Sequence, residues 1–141
     1  MQGPEPDTAS MRHEMPPAVE AVPALLDRLE AFAEANDVPP RTAQRLVLLA
    51  EELAANVAMH AAGAARLVIE VRREGPSIHL LVEDDGPAFD PLSAAVPNLE
   101  AGVEERDVGG LGVHFLRTLA RSVSYERHGG LNRVTALLDA G

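Results

Sequence analysis

Apolar side chains recur at helical spacing in the first half of the chain and at strand spacing in the second. Across 18–36, Val22, Leu25, Leu26, Leu29 and Phe32 fall three or four apart, the period of one helical face. Asn36-Asp37-Val38-Pro39-Pro40 ends that segment. A second helix is predicted from Thr42, or the turn before it, to about Ala62, with Gly63 as its stop. Leu67, Ile69 and Val71 then alternate with Val68, Glu70 and Arg72, and Ile78, Leu80 and Val82 with His79, Leu81 and Glu83. With the turn Glu74-Gly75-Pro76-Ser77 between them, the two runs predict a hairpin. A third helix is expected over Leu111–Leu119, then strands at 122–127 and 133–138 around His128-Gly129-Gly130. Residues 10–15 suit a short edge strand ended by Pro16-Pro17, and the polar, Pro-rich residues 1–9 suit a disordered tail. Residues 10–141 are thus expected to form one domain. The order helices, hairpin, helix, hairpin predicts an α+β two-layer sandwich, a mixed, mostly antiparallel sheet with helices on one face.

Three polar features interrupt these patterns. Glu52, Asn56 and His60 recur every fourth residue beside the apolar stripe of the second helix. Side chains four apart lie one above another, so a carboxylate, an amide and an imidazole share one flank. A carboxylate can act as a general base, an amide oxygen suits Mg²⁺ and an imidazole can donate to a phosphate. A polar row on a helix is ordinarily its solvated face, but Asn is a poor helix former with no propensity reason to sit there. The second feature is Asp84, next in the row Ile78, Leu80, Val82, where an unpaired ionised carboxylate would be costly. The exocyclic amine of a bound base is one group that could satisfy it. Asp-Gly is also a common turn pair, so Asp84 could simply end the strand; Asp85, on the opposite face, is expected to be solvated. Third, Gly109, Gly110 and Gly112 open the predicted third helix, and a helix N-terminus with bare backbone is a natural anion site. Residues 86–109 precede it without periodicity and with Pro87, Pro91 and Pro97, a length that is usually functional or mobile.

Composition narrows the chemistry. With 3% aromatics among 46% apolar residues, the core must be built from Leu, Val, Ile and Ala. The formal net charge of -10 argues against direct binding to nucleic acid, which needs a basic face. All 12 basic residues are Arg, so a lysine-based Walker A site is excluded. The absence of Cys removes disulfides and thiolate metal sites. No apolar run reaches the ~20 residues that span a bilayer, and the N-terminal residues lack a signal-peptide pattern, so the expectation is a cytoplasmic protein with no membrane partner.

Together the three features resemble a known pattern. Glu52-x-x-x-Asn56-x-x-x-His60, Asp84-x-Gly86-x-Ala88 and Gly110-x-Gly112 resemble the N, G1 and G2 boxes of the ATPase superfamily shared by gyrase, heat-shock chaperones and histidine kinases. Within it, Asp-Asp-Gly-x-x-Phe-Asp-Pro at 84–91 and Gly-Gly-Leu-Gly-Val-His-Phe-Leu-Arg at 109–117 look like the stand-alone anti-sigma-factor serine/threonine kinases. The resemblance runs from about 11 to 138. It implies ATP and Mg²⁺ as cofactors, Asn56 as the Mg²⁺ ligand and Glu52 as general base toward a protein serine. It implies Asp84 as acceptor of the adenine amine, and Gly86 as room for the base, with Ala88 in the same box. Gly110 and Gly112 would meet phosphates, with Leu111 between them, His60 would complete the nucleotide site, and residues 87–109 would form the lid. Arg106 would offset phosphate charge. The family's partners are a sigma factor and an anti-anti-sigma protein, which the kinase phosphorylates, and homodimerisation is a family expectation.

The chain departs from the family at three points. Ala88 stands where a second Gly is common, and Arg121 where many relatives carry Asp. Leu131-Asn132 stands where a Gly-Thr pair often contacts the nucleotide region; either Thr135 replaces that contact or nothing does. Glu51 lies about 100° around the helix from Glu52 and is expected to be a solvated neighbour. Besides an active kinase, two readings are open: an ATP-binding module that sequesters a partner with little or no phosphotransfer, and a catalytic domain severed from a sensor histidine kinase.

Overall fold

The computed structural model describes residues 8–60, 63–92 and 117–139. The order is β1 (Thr8–Met15), α1 (Val22–Ala35), α2 (Pro40–His60), β2 (Leu67–Glu74), β3 (Ser77–Asp84), β4 (Ser122–His128) and β5 (Leu131–Asp139). A 3-10 turn, Val19–Ala21, leads into α1.

Pro at the first turn suits both helices, because a missing N–H costs nothing there: Pro23 is near the start of α1 and Pro40 begins α2. α1 ends in a Schellman arrangement, in which Val38 N–H donates to Ala33 O (2.9 Å) and Asp37 N–H to Glu34 O (3.3 Å). Asp37 adopts φ +54 to close it, a conformation usually left to Gly. The Arg73 guanidinium donates to the Asn36 carbonyl, placing a cation at this negative helix end.

Strand order is β1-β2-β3-β5-β4, and every pairing among the described residues is antiparallel. Among the described residues the expected, mostly antiparallel sheet is antiparallel throughout. β3 and β4 run the same way, but β5 returns from the Gly129-Gly130 turn and inserts between them. Both glycines have positive φ, as a two-residue hairpin turn demands. β1 begins at Thr8, two residues inside the expected tail, and pairs with the whole of β2 from Thr8↔Glu74 to Met15↔Leu67.

Both helices cover one face. α2 packs on β2, β3 and β5, and α1 on α2 and β1. Between them lie Leu25, Leu29, Leu46, Leu49 and Leu53 from the helices, with Leu67, Ile69, Ile78, Leu80 and Ala136 from the sheet, all essentially inaccessible. Each such Leu or Ile contributes ~1.5–3 kcal/mol by leaving water. The buried rows of β3 and β5 do not end on apolar residues: Asp84 continues the first and Asn132 the second.

The other sheet face carries Arg12, Glu70, Arg72, His79 and Arg133 around a depression of about 590 Å³, with Glu83 on the same face. Its charges pair across strands, Arg133 with Glu83 at 2.9 Å and Arg12 with Glu70 at 3.5 Å. No helix covers it among the described residues, and it lies on the opposite side of the sheet from Asp84.

Candidate functional site

α2 runs unbroken from Pro40 to His60, so Glu52 and Asn56 stand one turn apart, ~6 Å along the axis. Asn56 is only 7% exposed, yet its side-chain amide makes no hydrogen bond among the described residues. The amide is therefore available to a ligand at this point of α2. Its oxygen is a hard donor of the kind Mg²⁺ takes when phosphates and waters complete the shell. No group of three or more His, Asp or Glu gathers for a metal among the described residues.

Glu52 is half-buried, and burial, followed by the neighbouring charge of Glu51, raises its pKa above the ordinary glutamate value. A raised pKa brings a carboxylate closer to what proton abstraction at neutral pH requires. Glu51 itself is exposed, as expected. His60 is the last residue of α2; Arg106, Gly110, Leu111 and Gly112 lie outside the described residues, as does most of the expected third helix, of which 117–119 are helical.

Asp84, at the end of β3, is 6% exposed. One carboxylate oxygen accepts from Gly86 N–H at 2.8 Å and from Asn132 Nδ2 at 3.0 Å. Its second oxygen has no hydrogen-bond partner among the described residues. Gly86 is buried beneath this turn, while Ala88 is exposed beyond it. Asp85 points away and accepts from Ala65 N–H (2.7 Å) and Arg66 N–H (3.1 Å), so it clamps the chain entering β2 while facing solvent. Those two donors, Arg66 first, lower its pKa.

Asn56 and Asp84 meet in one cavity with Leu53, Val57, Val82, Phe89, Pro91, Asn132 and Val134. α2 and β3 thus bring together a free amide and a free carboxylate oxygen among apolar walls, the composition of a ligand site. The space left is about 10 Å³, room for roughly one water. Phe89 and Pro91, from the segment after β3, form part of its wall.

Three residues here were not named as contacts from the sequence. Asn132, 2% exposed, stands directly opposite Asp84 in the β3–β5 ladder. Tyr125 and Arg127 reach it from β4 at 2.6 and 3.1 Å. Thr135 is on the other sheet face and replaces nothing at the site. Arg121 pairs with Asp139 at 3.1 Å on the exposed surface, where such a pair contributes little.

A two-layer sandwich with unpaired polar groups between its long helix and the ends of β3 and β5 defines a histidine-kinase-like ATPase architecture. The chain belongs to that family: the profile of the histidine kinase-like ATPase domain matches residues 15–138. It is 32% identical over 95 residues to the serine/threonine-protein kinase BtrW of Bordetella bronchiseptica, a match covering 64% of this chain and 66% of that protein. The fold is similar to the histidine kinase domain from the Erythrobacter litoralis EL346 blue-light activated histidine kinase, with TM-score 0.54 and 18% identity, covering 89% of this chain and 62% of that one. The chain thus spans somewhat under two thirds of the length of each. No helix among the described residues is long and apolar enough to cross a membrane.

Proposed function

We propose that this protein is an ATP-dependent protein serine/threonine kinase that serves as an anti-sigma factor in a partner switch. Its substrate would be a serine of an anti-anti-sigma protein, and its second partner a sigma factor. The observation that carries the reading is the single cavity in which buried Asn56 keeps an unused amide and Asp84 an unused carboxylate oxygen. Similarity to a protein named as a serine/threonine kinase supports the reaction class.

Each residue has a distinct task. Asp84 accepts from the exocyclic amine of the base, while Val82, Leu53 and Val134 flank the ring. Asn56 holds Mg²⁺, which when bound supplies charge neutralisation between the phosphates. Glu52, one turn back along α2, takes the proton from the attacking serine hydroxyl, and its raised pKa suits that step. Phosphoryl transfer asks chiefly for positioning and charge compensation, which these groups provide without a covalent intermediate. The net charge of -10 suits a basic segment of the sigma factor as partner.

The test is calorimetric titration of ATP with and without Mg²⁺, followed by transfer of labelled phosphate to a cognate anti-anti-sigma protein. Micromolar, Mg²⁺-dependent binding that Asn56→Ala weakens at least tenfold is expected. Binding without transfer would leave the sequestering module as the function. No binding would overturn the nucleotide site itself.

A further inference from the structure

Asn132 makes more hydrogen bonds than any other side chain around the cavity. Its Nδ2 donates to Asp84 Oδ1 (3.0 Å) and to Pro87 O (2.8 Å). Its Oδ1 accepts from Phe89 N–H (3.1 Å), Tyr125 Oη (2.6 Å) and Arg127 (3.1 Å). The surroundings fix which way the amide points: the nitrogen faces a carboxylate and a carbonyl, the oxygen faces three donors. Reversing it would set donors against donors and acceptors against acceptors. Both amide hydrogens are therefore spent on protein, and none remains for a ligand. Arg127 also donates to Gly86 O at 2.8 Å, so the turn after Asp84 is tied down along its length.

Two consequences follow for the cavity. Asn132 and Gly86 hold one oxygen of Asp84 and leave the other as an acceptor for the base. Asn132 also fastens Pro87 and Phe89, the segment whose Phe89 lines the pocket. We infer that Asn132 is a positioning residue for base recognition: it orients Asp84 toward an exocyclic amine and anchors the 87–89 segment over the same pocket, without touching the nucleotide. The inference rests on the nucleotide reading above. It makes the site selective for a base with an amine where inosine has a carbonyl, because the reading atom is an acceptor only.

The test compares Kd for ATP and ITP on the full chain by calorimetry. Wild type is expected to favour ATP by tenfold or more. Asn132→Leu, close in volume but with no hydrogen bonds, is expected to weaken ATP at least tenfold and bring the ATP/ITP ratio near one. Asn132→Thr keeps one hydroxyl donor for Asp84 but cannot also hold Pro87; it should keep most of the discrimination while losing ATP affinity, and serves if Asn132→Leu does not fold. A purely structural role would lower Tm in both variants and leave the ATP/ITP ratio at its wild-type value, which would overturn the proposal. Equal wild-type affinity for ATP and ITP would also overturn it, with ATP binding itself intact. Wild type that binds neither nucleotide would instead bring down the parent reading, and this proposal with it.

Discussion

Asp84 and Asn132 sit face to face on neighbouring antiparallel strands, 48 residues apart in sequence and 3.0 Å apart between Oδ1 and Nδ2. Each ends an otherwise apolar row. Together they turn the far end of the helix-covered sheet face from core into site, because a carboxylate with one oxygen held by two donors is tolerated where a lone one would not be.

Replacing Asp84 by Asn should keep the fold and remove the base reader. The new amide oxygen still accepts from Gly86 and Asn132, but an NH₂ replaces the free oxygen and meets the base amine donor to donor. ATP affinity is expected to fall by the ~1–3 kcal/mol of an unsatisfied polar contact, with little change in Tm. Tight ATP binding by this variant in a calorimeter would rule out the adenine assignment.

Glu52→Gln should separate binding from transfer. ATP binding is expected to persist while phosphotransfer drops ~10²- to 10⁴-fold, the range for a lost general base. Unchanged transfer in a labelled-phosphate assay would remove Glu52 from the chemistry.

The same variant should also change how stability depends on pH. Burial and Glu51 raise the folded-state pKa of Glu52 above its unfolded value. The favourable contribution of such a group is complete below the unfolded pKa and is lost as pH rises through the folded one. At pH 7 the ionised side chain therefore works against folding, and Glu52→Gln is expected to raise Tm. The gain should shrink toward zero below about pH 4, which thermal melts at the two pH values would check.

Asp85 carries the opposite sign. Its lowered pKa means that the ionised form, accepting from the N–H groups of Arg66 and Ala65, stabilises the fold above the ordinary aspartate range. That contribution fades as pH falls through the folded value. Asp85→Ala should lower Tm at pH 7, with the difference from wild type narrowing under acid. A constant difference across the acid range would contradict it.

Asp37 closes α1 at φ +54, and a non-Gly residue there is strained by ~1–2 kcal/mol. Asp37→Gly relieves the strain but adds freedom to the unfolded chain, so a net gain of ~0.5–1 kcal/mol is expected in urea denaturation. A loss of stability would show that the Asp37 side chain contributes more than its backbone strain costs.

Much of this was legible in the sequence because the relevant signals are local. The helices and both hairpins follow from period and turn residues, and Asp84 is found at the end of a buried row by strand parity alone. The same parity marks Asn132, in step with Val134, Ala136 and Leu138, and excludes Thr135. Its partner could not be read, because periodicity does not say which strands are neighbours. The insertion of β5 between β3 and β4 is a tertiary choice, and it also removes the parallel pairing that a mixed sheet would need. The start of β1 was hidden for another reason: Ala9 shares the parity of Met11 and Met15 and packs against the core, but one small Ala between Thr8 and Ser10 is a weak strand signal, and pairing with β2 extends the strand to Thr8. The tiny cavity could not be foreseen either, since it depends on where Phe89 and Pro91 lie.

The strand order also sets a sequence of folding events. The β2–β3 and β4–β5 hairpins close over two-residue turns and involve only neighbouring segments, a microsecond-scale process. Joining them requires the β3–β5 ladder to form across a 48-residue separation at Asp84–Asn132, and Thr42 to reach the Asp139 carbonyl across 97 residues. Such long closures come late and slow the overall rate. The cavity between Asn56 and Asp84 lies on that last seam, so it exists only once the two halves of the sheet have met, and a ligand bound there would hold the seam shut against unfolding.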